Sequence, residues 1–488
     1  MMTEVAFPFP FPQHLELILP EIILAVMGMV TLLMSVFVSK SRQNIVAWTA
    51  ILSAIAAAVT LLSISGSEHQ YTFYGYFLLD PLATYAKLLM IVATVFGMLL
   101  SLNYVKDLAN VGEYYTLMLF ALLGMLLMAS ANNFVVMYLG LELMALSVYV
   151  LVGYQRDVLR STEASLKYFI LGALSSCMLL YGLTFLYGTT GSFFFAEMGN
   201  IISGTGENER LAVLTGMLFV LAGLAFKVSV APFHMWTPDA YEGAPTPITA
   251  FMSVAPKVAG LIVFMRIVEE VFQSLQSEYT PILIFFAVLS MAVGNLAAIV
   301  QRNIKRMLAY STIGHVGFIL LGMIAGTMQG YTSIMIYMTI YLFMTMGVFA
   351  IIIMMRRDNI QGELLDDFAG LSKVRPGYAL AMGLLMFSMA GIPFLGGFWA
   401  KYAVFMAAVE QGHIVLATLG VLFSAIGAFY YIRIVKYMYF DEERVSFNFA
   451  KSVPLQVTVV FSTLVVVAIG LYPDPVMQIC KLALAGFV

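Results

Sequence analysis

Residues 211–236 read LAVLTGMLFVLAGLAFKVSVAPFHMW, an apolar run that contains one lysine, Lys227, and one proline, Pro232. A helix that spans a bilayer needs about 20 mainly apolar residues, so this stretch is long enough to cross a membrane. A lysine at the centre of such a helix costs about 2.5–3.5 kcal/mol to insert. The proline removes a backbone hydrogen bond and kinks or breaks a helix. The stretch therefore predicts a broken membrane helix with a buried cation beside the break.

The rest of the chain has the same apolar character. Of its 488 residues 61% are hydrophobic and only 10% are charged, and the mean hydropathy is +0.94. Soluble domains carry about 25% charged residues, so water is not the main solvent of this surface. The net charge of −3 gives no argument for a nucleic-acid partner, and Cys177 and Cys480 have no metal-ligand spacing. We expect an all-α polytopic membrane protein in a lipid bilayer, without a metal site.

About fourteen apolar runs of spanning length follow one another, with no stretch that resembles a soluble domain. They lie at 15–37, 44–65, 77–103, 114–130, 132–154, 162–188, 209–236, 246–271, 279–300, 304–325, 331–355, 377–409, 412–439 and 452–474. The first positive charge, Lys40, follows the first run, which is expected to be a retained span rather than a cleavable signal peptide. The alternating Phe and Pro residues at 7–12 predict a non-helical segment at the membrane interface.

Positive charges alternate between the connections. Lysine and arginine occur at Lys40 and Arg42, at Lys106, at Arg156 and Arg160, at Arg302, Lys305 and Arg306, at Arg356, Arg357, Lys373 and Arg375, and at Arg444 and Lys451. The intervening connections at 66–76, 189–208, 272–278, 326–330 and 410–413 have none. Because cytoplasmic loops carry the excess of Lys and Arg, this pattern places the basic loops in the cytoplasm and predicts that both termini lie on the outer side of the membrane.

Ionisable residues inside the spans are the main functional signal. Glu142, Lys227, Lys257, His315 and Lys401 all stand within apolar sequence. Such residues normally face a bundle interior or a wet cavity and mark ion or proton pathways. Buried lysines and carboxylates can change protonation near neutral pH, which suits proton transfer.

Each of these residues also has a structural interpretation. His315 could be a hydrogen-bonded core histidine, and Glu142 could form a buried ion pair with a lysine. Lys167 stands about five residues inside its span and could extend to the interface. Lys87 follows Asp80 by seven residues, and the two could form a structural pair. We therefore leave Lys87 out of the candidate site.

A second broken span resembles the first. Residues 377–409 contain Gly391, Pro393 and Gly397 just before Lys401, and both broken spans have a Pro-Phe pair near a lysine. Paired Gly/Pro-interrupted spans are typical of inverted-repeat transporters. The two breaks lie in the seventh and twelfth spans, and a repeat of five helices is odd, so its second copy runs inverted. The predicted segments are 1–113 (helices 1–3), 114–271 (helices 4–8), 272–440 (helices 9–13) and 441–488 (helix 14 and tail).

Five motifs resemble those of the antiporter-like membrane subunits of respiratory complex I, the type I NADH:quinone oxidoreductase. They are LGLELMALSVYVLVGY (139–154), EASLKYFILGALSS (163–176), FKVSVAPFHMWTPDAYEGAPTPITAF (226–251), QRNIKRMLAYSTIGHVGF (301–318) and MAGIPFLGGFWAKYAVF (389–405). The resemblance covers the chain from about residue 77 to its end, and the motif at 226–251 is highly specific. Within the family the chain is most similar to the N-type subunits. M-type subunits usually have glutamate in place of Lys401, and L-type subunits carry a further lateral helix.

The resemblance implies fourteen helices with inverted repeats of helices 4–8 and 9–13. It implies that Glu142 is the glutamate of helix 5, and that Lys227 is the helix 7 lysine paired with it. Lys257 would be the linking lysine of helix 8, and Lys401 the helix 12 residue towards the exit. Lys167, His234, Lys305, Tyr310 and His315 also fall on family motif positions, with less definite roles.

The chain is accordingly expected to translocate protons, driven by quinone reduction in a larger complex. It has no G-x-G-x-x-G loop and no cysteine set for an iron–sulfur cluster, so the redox step is not expected on this chain. The resemblance implies that NADH, FMN, Fe–S clusters and quinone bind partner subunits, and that neighbouring antiporter-like subunits are among those partners. Two alternatives remain at this stage. One is a subunit of a multisubunit cation/proton antiporter, which Lys401 disfavours, and the other is a non-conducting scaffold.

Overall fold

The computed structural model describes residues 14–39, 42–66, 68–106, 110–356, 362–442 and 452–487. The Phe/Pro segment at 7–12 lies outside these residues. The first seven crossings are α1 (Leu19–Phe37), α2 (Asn44–Ile64), α3 (Pro81–Ser101), α4 (Val111–Ser130), α5 (Phe134–Val152), α6 (Leu159–Thr190) and α7, which is divided into α7a (Glu207–Lys227) and α7b (Trp236–Gly243). The other seven are α8 (Thr246–Arg266), α9 (Gln276–Ile299), α10 (Ile304–Ala325), α11 (Met328–Met354), α12, which is divided into α12a (Pro376–Ala390) and α12b (Gly396–Glu410), α13 (Ile414–Phe440) and α14 (Val453–Leu471).

Within the described ranges, thirteen helices are long and apolar enough to cross a membrane, and the broken helix α12 makes the fourteenth crossing. This confirms the predicted all-α polytopic fold. The apolar stretches of α8, α10 and α11 are almost wholly buried, whereas less than half of the residues in those of α1, α13 and α14 are buried. Apolar side chains on these outer helices, such as Leu33 and Phe37, face outward, as expected of surfaces in contact with lipid.

Smaller elements lie at the ends of the crossings. They are the 3₁₀ turns Leu15–Ile18, Phe73–Gly75, Gln273–Leu275 and Leu365–Phe368, the π turn Ile267–Val271 that extends α8, and the helices Phe195–Ser203, Leu371–Val374 and Asp474–Ala483. An antiparallel hairpin pairs Gln70–Thr72 with Phe77–Leu79, with Gln70 opposite Leu79. We name the membrane face on which α1 begins the N-terminal face, and the opposite side the basic face.

Two predicted boundaries are wrong. The third span was expected to start at 77, but residues 77–79 are a strand and α3 starts at Pro81, where the Asp80 side chain accepts a hydrogen bond from Ala83 N at 2.7 Å. Proline at the first helical position and aspartate at the N-cap both favour a helix start there. The seventh span was expected to end at 236, but α7a ends at Lys227 and α7b continues to Gly243.

The two five-helix repeats have matching local contacts. Asn133 caps α5 and forms an isolated β-bridge with Phe194, while Asn303 caps α10 and forms one with Leu364. Each asparagine precedes the second helix of its repeat, and each bridge partner follows the third. Since successive crossings alternate in direction, α5 begins on the N-terminal face and α10 on the basic face. The same contact on opposite faces is what an inverted repeat requires.

Close helix crossings also recur in both repeats. A Cβ atom on Gly124 of α4 would lie 2.5 Å from the Gly140 carbonyl oxygen of α5. A Cβ atom on Gly294 of α9 would lie 2.3 Å from the Gly314 nitrogen of α10. Small residues let membrane helices approach closely, and here they join the first two helices of each repeat.

Candidate proton pathway

The break in α7 brings two lysines together. Lys227 is the last residue of α7a and is 7% exposed. After it the backbone leaves the helix, and Ser229 has a positive φ of 67°. Lys257 of α8 is 2% exposed, and its Nζ donates to Ser229 Oγ at 2.6 Å and to Val228 O at 3.4 Å. The Lys257 ammonium therefore donates to a carbonyl oxygen at the C-terminal end of α7a, where the helix leaves its last carbonyl groups without intrahelical partners. The helix dipole also favours a cation at this end.

Glu142 reaches Lys227 through a serine hydroxyl. Ser176 of α6 donates a hydrogen bond to Glu142 Oε1, and Lys227 Nζ donates to Ser176 Oγ at 3.4 Å. Glu142 is half-buried on α5. Among the described residues no ion pair within 4.0 Å joins Glu142 and Lys227 directly. The serine couples the two charges without fixing them in a closed salt bridge.

The break in α12 has a related arrangement. Lys401 on α12b is 7% exposed, and its Nζ donates to Ala390 O, the last residue of α12a, at 2.8 Å. It also donates to Ser424 Oγ on α13 at 2.8 Å. Gly391 has φ 90°, and a Cβ atom there would lie 2.9 Å from Lys401 Cδ. In both broken helices an ammonium group thus meets the carbonyl end of the first half-helix.

His315 is held between two tyrosine hydroxyls. Its Nδ1 lies 2.7 Å from the Tyr337 hydroxyl and its Nε2 lies 2.8 Å from the Tyr431 hydroxyl. All three side chains are buried. A neutral imidazole has one donor and one acceptor nitrogen, so one tyrosine hydroxyl accepts a hydrogen bond from the ring while the other donates one to it. Exchange of these roles would carry a proton across the ring.

Hydroxyl groups occupy the region between Lys257 and His315. The Lys257 ammonium lies 5.9 Å from the Tyr241 ring centroid, and the buried Tyr241 hydroxyl has no hydrogen-bond partner among the described residues. Tyr341 shares a 2.8 Å hydrogen bond with Thr312, and its ring centroid lies 5.1 Å from that of His315. These tyrosines are absent from the predicted site. In the sequence they are recognisable only as tyrosines within apolar spans. Because tyrosines are common in membrane helices, that pattern does not indicate a functional role.

The residues with less definite roles lie near the basic face. Lys167 is 48% exposed and pairs with Glu163 and Asp239 at 2.7 and 3.1 Å. Lys305 is buried and binds Ala244 O at 2.7 Å and Glu363 Oε1 at 2.8 Å, which ties α10 to the end of α7b.

Two further members of this group lie beside the pathway. Tyr310 lies under the Arg306 guanidinium, at 5.9 Å. His234 lies in the α7 break, and its buried Nδ1 has no hydrogen-bond partner in the described part of the chain.

The suggested pair of Lys87 with Asp80 is wrong. Lys87 Nζ lies 2.7 Å from Glu21 Oε1 on α1, and Asp80 instead accepts from Arg266 Nη2 at 2.7 and 2.8 Å. Asp80 caps α3, and its carboxylate also binds Arg266 of α8. Lys87 stands two turns deeper and meets the first turn of α1 instead.

Residues 131–427 match the family model described as NADH:quinone oxidoreductase/Mrp antiporter, TM. A relative from Paramagnetospirillum magneticum named NADH-quinone oxidoreductase subunit N is 46% identical over 471 residues, covering 96% of each chain. The protein of the same name from Rhodospirillum rubrum is 46% identical, covering 94% of this chain and 95% of the relative.

Solved structures agree with this relationship. A chain of respiratory complex I from Thermus thermophilus is 29% identical with a TM-score of 0.80, covering 94% of this chain and 98% of that one. A chain of the Mrp complex from Dietzia sp. has a TM-score of 0.81 at 20% identity, covering 97% of both, and shows the shared fold alone. The family model covers more than half of this chain, and the relatives named above match nearly its full length. The chain therefore belongs to the family of NADH-quinone oxidoreductase N subunits, membrane subunits of complex I.

Proposed function

We propose that this chain translocates protons along Lys227, Lys257, His315 and Lys401, with Glu142 as the residue that gates the first step. The chain works as a membrane-arm subunit of NADH:quinone oxidoreductase, and the electron transfer that drives it takes place in partner subunits. NADH, FMN, Fe–S clusters and quinone belong to those partners. The observation that carries the proposal is the placement of buried ammonium groups at both helix breaks, with hydroxyl side chains and His315 between them.

The sequence of steps follows from these contacts. A proton enters from the basic face and reaches Lys227, whose charge is stabilised by Glu142 through Ser176. When Glu142 is neutralised or moves away, Lys227 loses that stabilisation and passes its proton towards Lys257. Tyr241, Thr312 and Tyr341 lie between Lys257 and His315, and Lys401 lies on the half of α12 nearer the N-terminal face. The last step releases the proton on that face.

The orientation follows from the charged connections. The basic face is cytoplasmic and the N-terminal face is periplasmic, in the inner membrane of a bacterium. Neighbouring antiporter-like subunits and the peripheral subunits of the complex are the partners. The less definite residues Lys167, His234, Lys305 and Tyr310 would serve proton entry, since Lys167, Lys305 and Tyr310 lie towards the basic face and His234 lies in the α7 break.

The test uses the assembled complex in sealed vesicles, with Lys227→Ala and Lys227→Arg compared with the parent. Both variants should lower the protons pumped per electron transferred. Alanine removes the carrier, and an arginine stays protonated and cannot release its proton. Normal pumping per electron in both variants would overturn the assignment.

The antiporter alternative has less support, although the matching family model includes Mrp antiporters. A cation/proton antiporter would show transport that depends on Na⁺ or K⁺. Pumping by the complex at the same stoichiometry with and without Na⁺ would exclude it.

A further inference from the structure

A second group of buried charges lies apart from the pathway, at the N-terminal face. It consists of Glu21 at the start of α1, Asp80 at the start of α3, Lys87 two turns further along α3, and Arg266 and Glu270 at the end of α8. We name these five residues the outer cluster. Lys87 pairs with Glu21 at 2.7 Å, Arg266 with Asp80 at 2.7 Å, and Arg266 with Glu270 at 3.1 Å.

We propose that the outer cluster binds one proton on Glu270 and exchanges it with water on the N-terminal face. The bound proton does not depend on the proposed function. Its use as the release site of the pump does rest on that function.

The first argument is the balance of charge. The cluster has three carboxylates and two cations, and the side chains of four of its members are at most 3% exposed. An uncompensated buried charge is expensive, and such a group normally becomes neutral instead. A single proton on one carboxylate would balance the cluster.

The second argument identifies which carboxylate holds the proton. Asp80 accepts two hydrogen bonds from Arg266 Nη2 and one from Ala83 N, all within 2.8 Å, so three hydrogen bonds from two donor atoms stabilise its anion. Glu21 faces the Lys87 ammonium. Among the described residues the Glu270 carboxylate accepts one hydrogen bond, from Arg266 Nη1 at 3.1 Å, and this is the longest ion pair in the cluster. Donors to a carboxylate favour its charged form, so Glu270 is the member least stabilised as an anion.

The third argument is that polar atoms in the cluster remain unsatisfied. Lys87 Nζ and both Glu21 oxygens are buried, and beyond their mutual ion pair they have no hydrogen-bond partner among the described residues. Arg266 Nε is also without one in the same ranges. Buried polar groups are normally paired, so these atoms point to a site that is built for a function rather than for stability alone.

The fourth argument is access to solvent. Exposure rises along the cluster, from 0% for the Lys87 side chain to 2% for Arg266 and 21% for Glu270. The exposed His69, in the loop before the hairpin, is the solvent-facing titratable group that influences Glu270 electrostatically. Glu270 also stands in a π turn, a deviation from the α-helix that is frequent at functional sites.

The other charged groups around Glu270 are accounted for. Arg266 is on its own helix, Asp80 is at the start of α3, and His69 is solvent-exposed. Glu269 points elsewhere and accepts hydrogen bonds from Tyr331 at 2.7 Å and Gln273 at 3.0 Å. Glu197, on the neighbouring helix Phe195–Ser203, is exposed and accepts from Ser192.

The experiment is infrared difference spectroscopy of the intact complex with Glu270→Gln against the parent. We expect the parent to show the C=O stretching band of a protonated carboxylic acid that shifts on exchange into D₂O, and the variant to lose it. Glu269→Gln is the matched control and should keep the band. The double variant Glu21→Gln with Lys87→Met removes one charge of each sign and should also keep it.

Three outcomes would overturn the proposal. They are a band that persists in Glu270→Gln, a band that disappears in Glu269→Gln, and a band that fails to exchange with D₂O. If Glu270→Gln does not assemble, Glu270→Asp keeps a carboxyl group at the site and should retain an exchangeable band at a shifted frequency. Slower pumping in Glu270→Gln with the band lost would support the release role. Normal pumping with the band lost would overturn that role and leave the bound proton in place.

Discussion

The hydroxyl group of Ser176 links Glu142 to Lys227, and a single substitution can test this link. This hydroxyl is hydrogen-bonded to both Glu142 and Lys227, and no other group in the described ranges has hydrogen bonds to both. We expect Ser176→Ala to lower the protons pumped per electron, because hydrogen bonds to charged groups contribute about 1.5–3 kcal/mol and the coupling of the two charges would weaken. Ser176→Thr, which keeps the hydroxyl, should pump more than the alanine variant.

The control is the neighbouring serine on the same helix. Ser175 donates to the Gly223 carbonyl oxygen at 3.2 Å and does not contact either charge. Ser175→Ala should leave pumping per electron near that of the parent. An equal loss of proton pumping in Ser175→Ala and Ser176→Ala would mean that Ser176 acts in helix packing rather than in charge coupling.

Gly391 allows the Lys401 side chain to lie against the α12 break. It has φ 90°, a conformation that costs a residue with a side chain roughly 1–3 kcal/mol, and its Cβ position lies 2.9 Å from Lys401 Cδ. We expect Gly391→Ala to displace Lys401 and to reduce proton pumping. Gly412 has φ 81° but nothing within 4 Å of its Cβ position, so Gly412→Ala carries the backbone strain alone. Equal pumping by the two variants, measured in sealed vesicles, would contradict this role for Gly391.

At the residue scale the sequence indicates which charged residues are buried, but it does not indicate which side chains they contact. Lys227, Lys257 and Lys401 can be recognised because a lysine within apolar sequence is rare, and the structure buries all three. Ser176 and Tyr341 could not be recognised, since serine and tyrosine are ordinary residues of membrane helices. The pair of Lys87 with Glu21 joins helices far apart in sequence, and no local pattern distinguishes it from the incorrect pair with Asp80.

Among the elements, the crossing of α9 and α10 makes a direct prediction. Any side chain on Gly294 would meet the backbone of Gly314 at 2.3 Å, and backbone cannot move aside as a flexible side chain can. We expect Gly294→Ala to destabilise the chain by roughly 1–3 kcal/mol and to reduce the amount of assembled complex. Gly188→Ala on α6 is the control, because nothing lies within 4 Å of its Cβ position. Thermal unfolding of the purified complex would measure the difference, and similar midpoints for both variants would contradict the close crossing.

The C-terminal helix Asp474–Ala483 docks against α3 and α11 through Cys480. The thiol is buried and donates to the Tyr85 hydroxyl at 3.4 Å, and burial raises the pKa of the Cys480 thiol to about 11. Only the thiolate reacts with maleimide, so reactivity at neutral pH should be about a hundredfold below that of an ordinary thiol and should rise as the pH approaches this pKa. Mass spectrometry after maleimide labelling of the intact complex would measure it.

Its control is the adjacent exposed position. Lys481→Cys in a Cys480→Ser background should label readily at neutral pH. Rapid labelling of Cys480 itself under the same conditions would show that this helix is not docked as described.

The sequence located the helices more easily than the structures between them. Spans of apolar residues fix α1 to α14 because the bilayer demands both length and apolarity. The hairpin at 70–79 and the half-helix α7b were missed, since three-residue strands and an eight-residue helix lack a periodic signal. In both cases the apolar sequence continues into the neighbouring membrane span, so the sequence does not show where the span begins or ends.

Across the whole molecule the inverted repeat relates the two halves of the pathway. Lys227 and Lys401 stand at the two breaks, and Glu142 and His315 stand on α5 and α10, the second helices of the two repeats. The number of spans between the breaks predicted this inversion, and the matching bridges of Asn133 and Asn303 confirm it. The halves differ in charge, since α5 carries the carboxylate of Glu142, whereas α10 carries the imidazole of His315 and has no carboxylate in its sequence.

Under the proposed function, this difference places the coupling step in the first half of the subunit, and the last prediction tests that placement. Replacing Glu142 and Lys227 together, as Glu142→Leu with Lys227→Met, removes both charges and avoids leaving either one buried and alone. A buried charge left without compensation is destabilising, whereas replacing both members of a coupled pair with apolar residues is often neutral. The double variant should therefore assemble as well as the parent, and better than Lys227→Met alone. If the subunit were only a structural scaffold, the double variant would pump as many protons per electron as the parent. A subunit that carries protons through Lys227 would pump fewer. We expect fewer protons pumped per electron from NADH in sealed vesicles at a normal content of complex, and unchanged stoichiometry would favour the scaffold instead.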